Sequence, residues 1–184
     1  MDAFFTSTVT VALAEIGDKT QLLSLVLATR FKNKWAIIAG ILVATLLNHG
    51  VSAWLGNWIG QFFQSETGKL IVGSSFILLA LWLLIPDKDD DIDSRFDQYG
   101  AFLVSTVLFF LAEIGDKTQI ATILLGAQFD SILWVTMGTT IGMLLANVPV
   151  VLAGEFIMQK IHMKFAHWIA AIAFALVGVF HIFS

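Results

Sequence analysis

Nine consecutive residues of this chain occur twice. Leu13-Ala14-Glu15-Ile16-Gly17-Asp18-Lys19-Thr20-Gln21 returns as Leu111-Ala112-Glu113-Ile114-Gly115-Asp116-Lys117-Thr118-Gln119, identical at an offset of 98 positions. Chance does not repeat such a polar run in a chain that is 58% hydrophobic and only 13% charged. The offset persists without gaps. Gly40 maps to Gly138, Leu46-Leu47 to Leu144-Leu145, Gly56 to Gly154, Ile71 to Ile169 and Phe76 to Phe174. Self-similarity at a fixed period confines the fold to copies of one unit.

The solvent for those copies is set by composition. Soluble domains carry about 25% charged and about 45–50% apolar residues, so this chain is expected in lipid. Ten basic against 14 acidic residues exclude a nucleic-acid binder, which would show a basic patch. The absence of cysteine excludes disulfides, thiolate metal sites and cysteine catalysis. Six apolar runs approach the roughly 20 residues that cross a bilayer: about 4–29, 35–58, 69–85, 100–128, 132–158 and 165–183. No basic residue precedes the first run, so it reads as a retained helix rather than a cleaved signal peptide. Between the third and fourth runs lies a stretch from Pro86 to Gln98 with six aspartates, a solvated linker.

This predicts an all-α polytopic membrane protein. Residues 1–86 form one three-helix repeat, 87–98 an acidic linker and 99–184 the second repeat. An odd number of spans per copy turns the second copy over in the membrane, the inverted-topology repeat of many secondary transporters. If the termini and the second and fourth loops share one side, that side holds only Lys69. The other holds Arg30, Lys32, Lys34, Lys88, Arg95, Lys160 and Lys164. The basic side is cytoplasmic, which puts both termini outside and the acidic linker inside.

The doubled motif then lies within the membrane. Glu15 is about 11 residues past Phe4, roughly 16 Å along a helix and near the middle of a core about 30 Å thick. An ionisable residue there costs at least ~2.5–3.5 kcal/mol. Glu15, Asp18 and Lys19 with Glu113, Asp116 and Lys117 are therefore read as functional. Gly17 and Gly115 allow the helix to kink or unwind beside them. Antiparallel repeats let the motifs meet at the midplane with four carboxylates and two ammoniums, a net charge of −2 that a divalent cation cancels. Thr20, Gln21, Thr118 and Gln119 add neutral oxygens. An all-oxygen set suits Mn²⁺, Ca²⁺ or Mg²⁺ rather than Cu⁺ or Zn²⁺. Packed carboxylates repel one another, which favours proton uptake when metal leaves. The competing structural reading is a buried ion-pair network, with Glu15–Lys19 and Glu113–Lys117 at helical i,i+4 spacing.

Glu-Ile-Gly-Asp-Lys-Thr, present twice in a six-span chain, resembles the signature Glu-x-Gly-Asp-(Lys/Arg)-(Thr/Ser) of the manganese/calcium cation-exchanger family. That family is grouped with the lysine-exporter superfamily and includes MneA-type bacterial manganese exporters. The resemblance covers nearly the whole chain. It implies divalent-cation transport with Glu15, Asp18, Glu113 and Asp116 as metal ligands. The compact chain looks like a bacterial inner-membrane member, which favours Mn²⁺ export in exchange for H⁺ or Na⁺. A Ca²⁺/H⁺ antiporter is the first alternative, and a cationic amino-acid exporter is weaker. A membrane enzyme using paired carboxylates as acid and base lacks any accompanying Ser/His, Cys/His or His-rich motif. No resident cofactor is expected, and the oligomeric state stays open.

Other polar residues carry weaker signals. Asn48, His49 and Asn147 lie within spans, and His49 and Asn147 are equivalent at the 98-residue offset. Such residues often only bond neighbouring helices, at about 0.6–2 kcal/mol each. Of the last two, Asn147 reads as the better metal contact. Pro149 could kink the fifth span. Gly56-x-x-x-Gly60 and Gly138-x-x-x-Gly142 suit close helix packing. Trp35, Trp54, Trp58, Trp134 and Trp168 suit an interfacial belt, as do His162, His167 and His181 near span ends.

Overall fold

The computed structural model describes residues 2–85, 98–154 and 163–183. The acidic linker up to Asp97, and with it Lys88 and Arg95, lies outside the described residues, as do Lys160 and His162. Among the described residues there are eight helices and no strand. They are α1 Asp2–Glu15, α2 Lys19–Arg30, α3 Lys34–Gly60, α4 Glu66–Leu83, α5 Ala101–Glu113, α6 Lys117–Phe129, α7 Ile132–Ala153 and α8 Met163–Phe183. Four of them, α3, α4, α7 and α8, are long and apolar enough to cross a membrane.

The other four form two interrupted pairs. Runs 4–29 and 100–128 are each two half-helices, α1–α2 and α5–α6, parted inside the motif. The cause is local. Gly17 has φ +86° and Gly115 φ +76°, the left-handed region that glycine enters without steric cost. Asp18 and Asp116 restart the helix from extended backbone at the N-cap position, where aspartate is favoured. Each break exposes an amide, and the motif's last residue satisfies it. Gly17 N–H donates to Gln21 Oε1 at 2.8 Å and Gly115 N–H to Gln119 Oε1 at 2.7 Å.

The remaining elements follow the expected runs with shifted ends. Ser65 starts α4 by accepting from Gly68 N–H at 3.1 Å. Helix α7 stops at Ala153, short of the expected 158, because Gly154 turns the chain with φ +60°. Pro149 lies inside α7.

Packing repeats the 98-residue offset in space. A β-carbon on Gly40 would stand 2.7 Å from Phe102 O and from Ser105 Cβ; one on Gly138 would stand 2.5 Å from Phe4 O and 2.9 Å from Ser7 Cβ. The partners are equivalent residues, so α3 meets α5 as α7 meets α1. Helices α4 and α8, also equivalent, run antiparallel: Gly73 abuts Gly178 and Ile182, and Phe76 stacks on Phe174 with centroids 6.3 Å apart. Phe76 and Phe174 are themselves 98 apart.

The two ends of the bundle separate the loops. Phe4 packs on Trp134, Asn57 Nδ2 donates to Asp130 at 2.6 Å, and Asn57, Gln61, Lys69, Asp130 and His181 line one cavity of about 270 Å³. That end gathers the N-terminus, the second and fourth loops and the C-terminus. Near the opposite end, Lys34 Nζ donates to Leu152 O at 2.7 Å. The exterior is apolar, with Leu47, Val51, Leu78, Leu133, Leu176 and Phe180 all exposed, and the five tryptophans of the expected belt are exposed with them.

Candidate metal centre

Both breaks come to one place. Glu15 ends α1 and Glu113 ends α5, while Asp116 opens α6. Glu15, Glu113 and Asp116 are buried, and each offers a carboxylate oxygen within 4.8 Å of the others. The helix termini assist: the carboxyl ends of α1 and α5 carry partial negative charge, which favours a cation. Asp18, the fourth expected carboxylate, is buried nearby in sequence but stands outside this group of three.

The motif threonines hold the carboxylates. Thr20 Oγ1 donates to Glu15 Oε2. Thr118 Oγ1 lies 3.0 Å from Glu113 Oε2 and 2.9 Å from Asp116 Oδ2. A hydroxyl has one proton, so it donates to one of these at a time. Among the described residues no hydrogen-bond donor reaches the buried Glu15 Oε1 or Glu113 Oε1. Burying carboxylate oxygens without partners is costly, and a cation between them removes that cost.

The lysines do not form the i,i+4 pairs that a continuous helix would have made, because the break falls between the partners. Lys19 Nζ instead reaches across the repeats to Asp116 Oδ1 at 3.0 Å. Lys117 Nζ donates to the carbonyl of Ile85, at the end of α4. Three carboxylates and Lys19 leave −2 in formal charge when all are ionised.

The polar residues outside the motif separate into two groups. Asn147 is fully engaged: Oδ1 accepts from Ser24 Oγ at 2.8 Å, and Nδ2 lies 3.1 Å from Met143 O. Asn48 Nδ2 donates to Phe110 O at 3.1 Å, and Gln21 Nε2 to Ala146 O at 2.9 Å. These side chains tie helices together. His49 is the one near the carboxylates, with Nε2 3.8 Å from Glu113 Oε2, which reverses the expected order of Asn147 and His49. Two partners escaped the sequence reading. Ser24 carries a weak signal, a hydroxyl one turn past the motif, whereas the Ile85 carbonyl carries none.

Over residues 3–91 and 101–184 the chain matches the sequence profile of the family described as "Divalent cation/proton antiporter GDT1". The first matched segment runs into the linker as far as residue 91, and the second begins after it. A Vibrio cholerae protein described as "Putative manganese exporter" is 49% identical over 180 residues, 97% of this chain and 90% of that one. A GDT1-like protein of Synechocystis is 26% identical over 97% of this chain and 96% of its own length. One from Schizosaccharomyces pombe is 36% identical over 46% of this chain and 32% of its own. No solved structure matches.

Proposed function

The chain belongs to the GDT1 family of divalent cation/proton antiporters, and on that premise we propose that it exports Mn²⁺ from the bacterial cytoplasm in exchange for H⁺. The observation that carries this reading is the group of three buried carboxylates where two broken helices meet. The name of the Vibrio cholerae relative supports Mn²⁺ over Ca²⁺. The family assignment supports a transporter rather than an enzyme.

In this reading Glu15, Glu113 and Asp116 hold the metal, Asp18 lends charge from outside the group, and Thr20 and Thr118 orient the carboxylates. Gln21 and Gln119 hold the breaks that create the site. Loss of the metal leaves carboxylates that repel, and protons restore neutrality. Lys19, paired with Asp116, serves as a tethered cation between turnovers. Proton coupling takes precedence over Na⁺ because the family couples to protons.

The same reading makes residues 1–86 and 99–184 two inverted three-span repeats, with both termini outside and the linker 87–98 in the cytoplasm. The antiparallel run of α4 and α8, the Phe76–Phe174 stack and the gathering of the termini with the second and fourth loops support it. Single cysteines introduced at Ser65 and Asn33 test it. The first is expected to react with an impermeant reagent from outside, the second only after the membrane is opened. The reverse result would invert the orientation.

The function is tested in liposomes holding a divalent-sensitive dye, with pH and Na⁺ gradients imposed separately. A proton gradient is expected to drive Mn²⁺ uphill, and low pH on the metal-loading side to compete with Mn²⁺, because both claim the same oxygens. Flux that ignores both gradients and runs only down the metal's own gradient would replace exchange with a uniporter.

A further inference from the structure

We propose that His49 is a nitrogen ligand of the transported cation, and that it biases the site toward a transition-metal ion and away from Ca²⁺ and Mg²⁺. The inference rests on the carboxylate site proposed above and adds a donor of another chemical kind to it.

The imidazole of His49 is completely buried. Among the described residues neither ring nitrogen has a hydrogen-bond partner. A neutral imidazole carries one donor and one acceptor, and burying both without partners is costly. The neighbouring polar residues are treated differently. Asn48 bonds Phe110 O. Asn147, in the equivalent position of the second repeat, is bonded through both ends of its amide. His49 is thus left unmatched while its neighbour and its counterpart are satisfied, and it is the one at the edge of the carboxylate group. Its Nε2 lies 3.8 Å from Glu113 Oε2, beside the group of three and outside it. Two donors each about 2.1 Å from one ion stand roughly 3–4.2 Å apart, so this separation suits an ion shared with Glu113.

The chemistry follows from the donor. Carboxylates alone suit Mg²⁺, Ca²⁺ and Mn²⁺ nearly alike, and Ca²⁺ takes oxygen ligands. Imidazole suits Fe²⁺, Ni²⁺, Cu²⁺ and Zn²⁺ best, and Mn²⁺, at the weak end of that first-row series, still accepts it more readily than the hard ions Ca²⁺ and Mg²⁺ do. Replacing one oxygen by His49 nitrogen therefore penalises Ca²⁺ and Mg²⁺ more than Mn²⁺. An asparagine here, as in the second repeat, would have kept the site all-oxygen.

Mn²⁺ itself is the probe. Pulsed electron paramagnetic resonance of the purified full-length protein loaded with Mn²⁺ is expected to show a ¹⁴N coupling from one imidazole. His49→Asn is expected to remove that coupling, weaken Mn²⁺ binding by about tenfold or more, and leave Ca²⁺ binding changed far less. Mn²⁺ bound without a ¹⁴N coupling in the unaltered protein would overturn the inference, and that measurement needs no variant to fold. A coupling that survives His49→Asn would overturn it as well. Glu113→Gln separates this from the underlying site. If Glu113→Gln abolishes Mn²⁺ binding and no nitrogen is seen, His49 alone is misassigned. If Mn²⁺ binding survives Glu113→Gln, the carboxylate site itself is wrong.

Discussion

The two motif copies are the same nine residues in different surroundings. Within each copy the geometry repeats closely. The glycine takes positive φ, its amide is held by the glutamine at 2.7–2.8 Å, and the threonine hydroxyl bonds the glutamate two residues before the glycine. Beyond the copies the likeness is partial. Asp116 joins both glutamates and Asp18 does not. Half-helix α2 is fastened to α7 by polar side chains, Gln21 to Ala146 O and Ser24 to Asn147. Half-helix α6 instead seats against α3 through glycines. A β-carbon on Gly126 would stand 2.6 Å from Ala53 O, one on Gly60 2.6 Å from Ala127 O, and one on Gly56 would collide with the Ile123 carbonyl. At the place equivalent to Gly56, Gly154 has, among the described residues, only Leu25 Cδ1 nearby, at 3.9 Å. Identical sequence therefore determines the break, while flanking residues determine how each half-helix is seated and which carboxylates meet.

The largest expected effect tests the carboxylates. Asp116→Asn, Glu15→Gln and Glu113→Gln each remove charge from a buried cation site, and each is expected to lower Mn²⁺ transport by about 100-fold or more. Asp18→Asn is expected to lower it by only about tenfold. The measurement is the initial rate of dye quenching in liposomes at matched protein insertion. Equal loss at Asp18 and Asp116 would mean that Asp18 enters the site in another state, so that the asymmetry belongs to one conformation.

The seam between α3 and α6 comes next. Gly126→Val pushes branched carbons into the Ala53 backbone, and overpacking of this kind costs about 1–3 kcal/mol. Gly50→Ala, in the interior of α3, meets only Thr136 Cγ2 at an ordinary 3.8 Å among the described residues and gains about 0.5–1 kcal/mol of helix propensity. Thermal unfolding in detergent is expected to rank Gly126→Val well below Gly50→Ala. The opposite ranking would show that the glycine seam is not what seats α6.

The smallest effect separates the two glutamines. Gln21 joins the break to Ala146 as well as to Gly17, whereas Gln119 is bonded to Gly115 alone. At about 1 kcal/mol per net hydrogen bond, Gln21→Ala is expected to cost roughly twice as much as Gln119→Ala. Equal costs in the same unfolding measurement would erase this difference between the copies.

The sequence by itself determined the repeat, the helical class, the positions of both breaks and the four carboxylates to consider. The reason is that each of these is local: a 98-residue offset, apolar runs, and a glycine followed by aspartate where a helix must stop and restart. Even Gly138 and Gly142 were readable as packing positions, because a small residue in a span admits a neighbouring backbone. What only the tertiary structure decided was the assembly of the centre. Nothing in Asn147 and His49 as sequence says that the first is consumed by Ser24 and Met143 while the second is left beside Glu113. Nor does identical sequence say that Asp116 rather than Asp18 meets the glutamates, or that Lys19 crosses to the other copy. Those outcomes depend on contacts between residues about a hundred positions apart, set by how each half-helix packs on a neighbour whose side chains differ between the repeats. A motif encodes its own backbone; its partners are encoded in the surfaces that the fold brings to it.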